Sequence, residues 1–155
     1  MTTIELLIWM TKDGLDKAIS ATKAMPEERQ SWKPLDSGRT AINQLAECLQ
    51  VAEWFARIIR EKNANFFTPE FFKLEHELRE QISLPHVLGN IEIAYESLYA
   101  AMRDLKEEDY TFEVSLRPGL KVPLLHICYF PLRNLYYHFG QINYIQTLYG
   151  DYDSH

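Results

Sequence analysis

Residues 127–148 read ICYFPLRNLYYHFGQINYIQTL. At α-helical spacing, Ile127, Pro131, Asn134, His138, Gln141, Ile145 and Leu148 fall on one face of this stretch. Apolar residues at both ends turn that face toward a core, and three polar residues sit in its middle. A buried polar group without a partner costs about 1–3 kcal/mol. Asn134, His138 and Gln141 therefore require another helix, water or a metal ion to receive them. The stretch predicts a long helix packed on at least one other, with a polar spot halfway along. Its bounds are Leu124 or Phe130 to Tyr149: Pro131 either starts the helix or kinks it, and Gly150 closes it. Leu132, Tyr136, Phe139 and Asn143 are placed on the outer side, where a flap or a second subunit would cover the apolar ones.

Three further segments carry the same helical period. In the first, Thr2 and Glu5 have capping-box spacing ahead of a helix from Thr3 to Lys23. Its stripe is Ile4, Leu7, Ile8, Leu15, Ala18, Ile19 and Thr22, and Gly14 weakens it from inside. A linker over 26–36 holds Trp32 and Pro34. The second helix spans Gly38 to Lys62 with a broad apolar arc: Ile42, Leu45, Leu49, Ala52, Ala56 and Ile59, widened by Cys48, Val51, Phe55 and Ile58. Thr68 and Pro69 then start a short helix ending at Gln81. The third long helix, Ser83 to Lys106, has the seam Leu88, Ile91, Tyr95, Leu98, Met102 and Leu105. Over 110–123 the period switches to alternation, with a turn at Arg117, Pro118 and Gly119. This predicts an irregular flap or a hairpin.

Four stripes on helices of roughly 20 residues, ~30 Å long, bury best against one another. The expected fold is all-α, a single four-helix-bundle domain over 1–155. The long connection between the second and third helices permits a crossover between parallel neighbours as well as a hairpin.

Composition removes several function classes. The net charge is −6 and Lys and Arg form no run, which argues against nucleic-acid binding. No apolar run reaches the ~18 residues of a membrane span. The first residues lack the basic start of a signal peptide, so a cytoplasmic location is expected. Cys48 and Cys128 have no metal-binding spacing and lie in apolar segments, the setting of buried reduced thiols. His76, His86 and His126 read as surface or helix-end histidines. No Ser–His–Asp set, close carboxylate pair or glycine-rich phosphate loop is present, so no catalytic residue is named.

Asn134 and His138 stand four apart, the spacing by which one helix offers two donor atoms to one ion. The amide oxygen of Asn134 is a weak ligand for zinc or nickel. The run from Asn134 to Ile142, with Gly140 and Gln141 after His138, followed by Thr147 to Gly150, resembles the last helix of the DinB-like proteins. These are damage-inducible-type bundles related to metal-dependent hydrolases and thiol S-transferases. Met25 to Glu28, Trp32 to Pro34 and Gly38 to Ala41 resemble that family's connection between its first two helices.

The resemblance implies an up-down-down-up bundle, often a homodimer, with a metal pocket between the second and last helices. His138 matches the second histidine of the family's last helix. Asn134 stands where the first would be, and Glu47 stands near the place of a third on the second helix. The candidate set is therefore Glu47, Asn134 and His138, with Gln141 and Trp54 flanking it.

Two readings share these residues. In one, a degenerate metal site survives as a hydrogen-bonded polar pocket in a module that binds a small molecule or a partner, with no cofactor. In the other, the set holds a divalent ion (Zn, Ni or Mn) in a thiol S-transferase or hydrolase.

Overall fold

The computed structural model describes residues 1–155. Helix α1 runs over Thr3–Ala24, started by a reciprocal cap. Glu5 N–H donates to Thr2 Oγ1 at 3.1 Å, and Thr2 N–H donates to Glu5 Oε2 at 2.6 Å. The expected linker contains a one-turn helix, α2 (Glu27–Gln30), and a 3₁₀ turn at Pro34–Asp36. Helix α3 covers Ala41–Glu61. It starts later than the sequence suggested, because Thr40 is its cap and Gly38 belongs to the preceding turn. Gly38 N–H donates to Pro34 O at 2.8 Å, and a Cβ at Gly38 would lie 2.7 Å from that oxygen.

Helix α4 is Pro69–Gln81 and α5 is Leu84–Arg103. The flap is a hairpin, with β1 (Glu113–Arg117) antiparallel to β2 (Leu120–Pro123) and Gly119 at φ 78° in the turn. Helix α6 is continuous over Leu124–Leu148, so Pro131 lies within one helix and does not begin it.

The four long helices form an up-down-down-up bundle. Helices α1 and α6 run parallel: Asp13 meets Tyr136, and Gln146 Nε2 donates to Ala21 O further along. Helices α3 and α6 run antiparallel, pairing Gln44 with His138, Glu47 with Asn134 and Phe55 with Phe130. Helices α3 and α5 are parallel, so the chain crosses between them through α4. One core of buried side chains joins all four long helices, including Leu45, Ile58, Ile91, Leu98, Ile127 and Leu135.

Two details of the expected packing change. Helix α6 lies against α1 and α3 at once, so its buried arc is wider than one stripe and rotated from it. Leu132, expected outside, is buried, as are Leu135 and Ile142. Asn134 and Gln141 lie at the half-buried edge, and Leu148 is 46% exposed. On α3, Ile42 is only half-buried, whereas Asn43, Gln44 and Gln50 are buried.

Gly14 is where α1 approaches α6. A Cβ there would lie 3.3 Å from the Tyr136 ring. Gly89, on the exposed face of α5, would meet nothing. Gly89→Ala is expected to raise unfolding free energy by roughly 0.5–1 kcal/mol through helix propensity alone. Gly14→Ala, with the same propensity gain but a contact to relieve, should gain less or lose stability. Urea denaturation of the two variants measures the difference.

Both cysteines are free and buried. Burial pushes the Cys128 thiol up to about 12 and the Cys48 thiol higher still. Neither should react with a thiol reagent until the protein is denatured.

Candidate ligand pocket

The broad arc of α3 is buried along most of its length, so polar side chains within it need partners. His138 is completely buried. Its Nδ1 lies 3.1 Å from Gln44 Oε1 and 3.2 Å from Gln141 Oε1. Its Nε2 lies 3.2 Å from Glu47 Oε1, but the carboxylate oxygen sits off the axis of the ring nitrogen, which has no properly aligned partner. Asn134 Nδ2 reaches the same Glu47 oxygen at 3.4 Å, leaving Asn134 Oδ1 buried and unpartnered. The fold thus puts Glu47, Asn134, His138 and Gln141 in one cluster.

Trp54 lies outside that cluster. Its ring packs edge-on against Phe67, Phe71 and Phe72, and its Nε1–H donates to Glu75 Oε2 at 3.3 Å. It stands two turns beyond Glu47 on α3, where the covering element is α4.

Sequence reading missed three members of the cluster: Gln44, Arg39 and Arg79. Glu47 Oε2 receives two guanidiniums, Arg39 Nη2 at 2.8 Å and Arg79 Nη1 at 3.2 Å. Arg39 precedes α3 and is braced by Nε–H donating to Asn43 Oδ1 at 2.7 Å. Arg79 projects from α4, and its Nη1 also donates to Gln50 Oε1 at 3.0 Å. Gln44 carried a signal: it stands one turn before Glu47 and Cys48 inside an otherwise apolar arc. Arg79 carried none, because only the docking of α4 brings it to α3.

Burial alone would raise the Glu47 carboxyl. The adjacent imidazole of His138 and the charges of Arg39 and Arg79 outweigh burial and hold it at about 2.

The donor set fits a divalent ion poorly. Nowhere in the chain do three or more His, Cys, Asp or Glu side chains gather in a way that could hold a metal ion. Here one imidazole and one carboxylate would be joined only by neutral amides. Two guanidiniums already neutralise the carboxylate and leave the cluster net positive, so a cation there would meet repulsion.

Beside the cluster a cavity of about 830 Å³ opens between α6 and the segment that precedes α3. Gln44, Gln141 and Arg39 form its polar wall, and Trp32, Tyr144 and Ile145 are among its apolar residues. A second, more polar cavity of about 500 Å³ lies on the other side of Arg39, toward Arg79 and Glu80 of α4.

No protein-family model matches the chain, and no curated protein does. Among solved structures, the mycothiol-dependent maleylpyruvate isomerase superposes with a TM-score of 0.74 at 18% identity. A histidine-to-alanine mutant of that enzyme superposes with a TM-score of 0.75 at 17% identity. Each likeness covers 92% of this chain, and this chain spans 63% of the length of each of those chains. At such identity the likeness establishes the fold, a helical bundle of the kind that the DinB-like resemblance implied. No helix of the chain is long and apolar enough to cross a membrane.

A carboxyl whose folded value lies near 2, against about 4.5 ordinarily, stabilises the fold above pH 4.5, and that contribution disappears as pH falls toward 2. It amounts at most to something on the order of 3 kcal/mol. Glu47→Gln should be less stable than wild type at pH 7, and its stability should vary less between pH 5 and pH 2. Urea midpoints measured across that range check the sign.

Proposed function

We propose that this protein is a metal-independent module that binds a small organic molecule in the cavity beside His138, the polar cluster forming the floor of the site. One observation carries the reading: both Arg39 and Arg79 are spent on Glu47 Oε2. A carboxylate held in this way stabilises the junction of α3, α4 and α6 and is a weak ligand for a cation. The cavity has the size range and the mainly apolar wall of a small-molecule site, with a few polar groups converging at one end.

The other reading is a metal-dependent enzyme of the thiol S-transferase or hydrolase type. Its support is the bundle shared with a mycothiol-dependent isomerase and two buried atoms without aligned partners, His138 Nε2 and Asn134 Oδ1. The two readings differ in what they require of Glu47. Metal binding would take Glu47 Oε1, which faces His138 and Asn134, and set a cation beside the two guanidiniums on Oε2, whereas small-molecule binding leaves the carboxylate's contacts unchanged.

Elemental analysis of protein purified without chelators, then dialysed, separates them. Zinc, nickel and manganese are expected well below one ion per chain, with no gain in melting temperature when any of them is added. Stoichiometric metal that is lost in His138→Ala would replace this proposal with the enzymatic one.

A further inference from the structure

Three side chains of the cavity wall, Gln44, Gln141 and Arg39, carry N–H donors. Gln44 is 3% exposed, and its side-chain oxygen is committed to His138 Nδ1, as is the oxygen of Gln141. With the proton on that nitrogen, both oxygens accept from it and the two amides turn their NH₂ groups away from the ring. Neither NH₂ group donates to any protein acceptor, and both side chains line the cavity. Arg39 lines it too. Its Nε and Nη2 are occupied by Asn43 and Glu47, which leaves the Nη1 edge free. No Asp or Glu lines this cavity.

Two free amide NH₂ groups and one guanidinium edge thus converge without a protein acceptor to receive them. Donors on a cavity wall that have no protein acceptor are free to give their hydrogens to a ligand that enters it. We propose, building on the small-molecule reading above, that the cavity binds an organic carboxylate with a flat apolar body. Its two oxygens take N–H bonds from Gln44, Gln141 and Arg39. One formal positive charge and two neutral amides match a single negative charge. The body of the ligand lies against Trp32, Tyr144 and Ile145. His138 is a positioning residue in this arrangement: it orients the amides and does not touch the ligand.

The test uses the full chain and three probes with the same ring system: 2-naphthoate, 2-naphthamide and 2-naphthol. Affinities are read by calorimetry, and the site by chemical-shift changes at Gln141 and Ile145. 2-Naphthoate should bind at least about tenfold more tightly than either neutral probe, the ratio given by one charge-assisted hydrogen bond. Gln141→Leu, at a half-buried position that tolerates substitution, should remove most of that preference. Gly140→Leu should weaken all three probes, because Gly140 is on the cavity wall and an added Cβ there meets no other atom.

Equal affinity for the three probes, with shifts at the cavity, would overturn the carboxylate assignment and leave the small-molecule reading standing. No saturable binding of any probe at millimolar concentration would overturn both. Preference for 2-naphthoate that persists in Gln141→Leu would place the anion elsewhere and overturn the assignment as well.

Discussion

A carboxylate enclosed between helices must be answered by positive charge or lose its own. In this bundle the carboxylate is Glu47, and its answer organises the molecule. Arg39 comes from the turn leading into α3, and Arg79 from the crossover helix α4. The imidazole of α6 lies against the remaining oxygen. Three separate parts of the chain are tied to one side chain of α3, and each must be in register for the others to meet it. The cluster therefore helps to specify how α4 sits across the bundle, together with the packing of Phe71 and Phe72 on Trp54. Helix α4 buries no side chain completely, and Phe72, Leu74 and Leu78 lie exposed on it.

The same pairing sets the chemistry available nearby. A site rich in carboxylate and imidazole attracts cations. A site whose one carboxylate is shared by two guanidiniums presents N–H groups and residual positive charge, and it favours an acceptor-bearing ligand. The amides of Gln44 and Gln141 extend this donor surface into the cavity because His138 takes both of their oxygens. Three positions on facing helices can thus serve very different ligands on one backbone, depending on whether histidines or amides and arginines occupy the surrounding shell. The likeness to a mycothiol-dependent isomerase at 17–18% identity is a likeness of bundles. What the bundle does is decided by these few side chains.

Much of the architecture was legible in the residues. The cap at Thr2, the Thr68 and Pro69 start of α4, the seam of α5 and the alternation before α6 are local signals, each read within a turn or two of chain, and each corresponds to an element of the fold. The outer face of α6 was not. A single stripe describes a helix with one neighbour, and α6 has two, so Leu132 is buried and Leu148 is not. The start of α3 was also misplaced, because Gly38 serves a turn closed by Pro34, and a turn of that kind leaves no periodic trace.

The sequence by itself determined the helices, their stripes and the need of Asn134, His138 and Gln141 for partners, since helical period and the cost of burying polar groups act within one segment. The tertiary structure alone decided who the partners are. Gln44 meets His138 across 94 residues of chain, and Arg79 meets Gln50 of α3 across 29, and separations of that kind are set by how helices dock. Trp54 and Arg79 show this most plainly. Trp54 belongs to the same helix as Glu47 yet faces the aromatic cluster of α4, and Arg79 lies on a different helix yet touches the carboxylate, because contact follows packing across helices and not proximity along the chain.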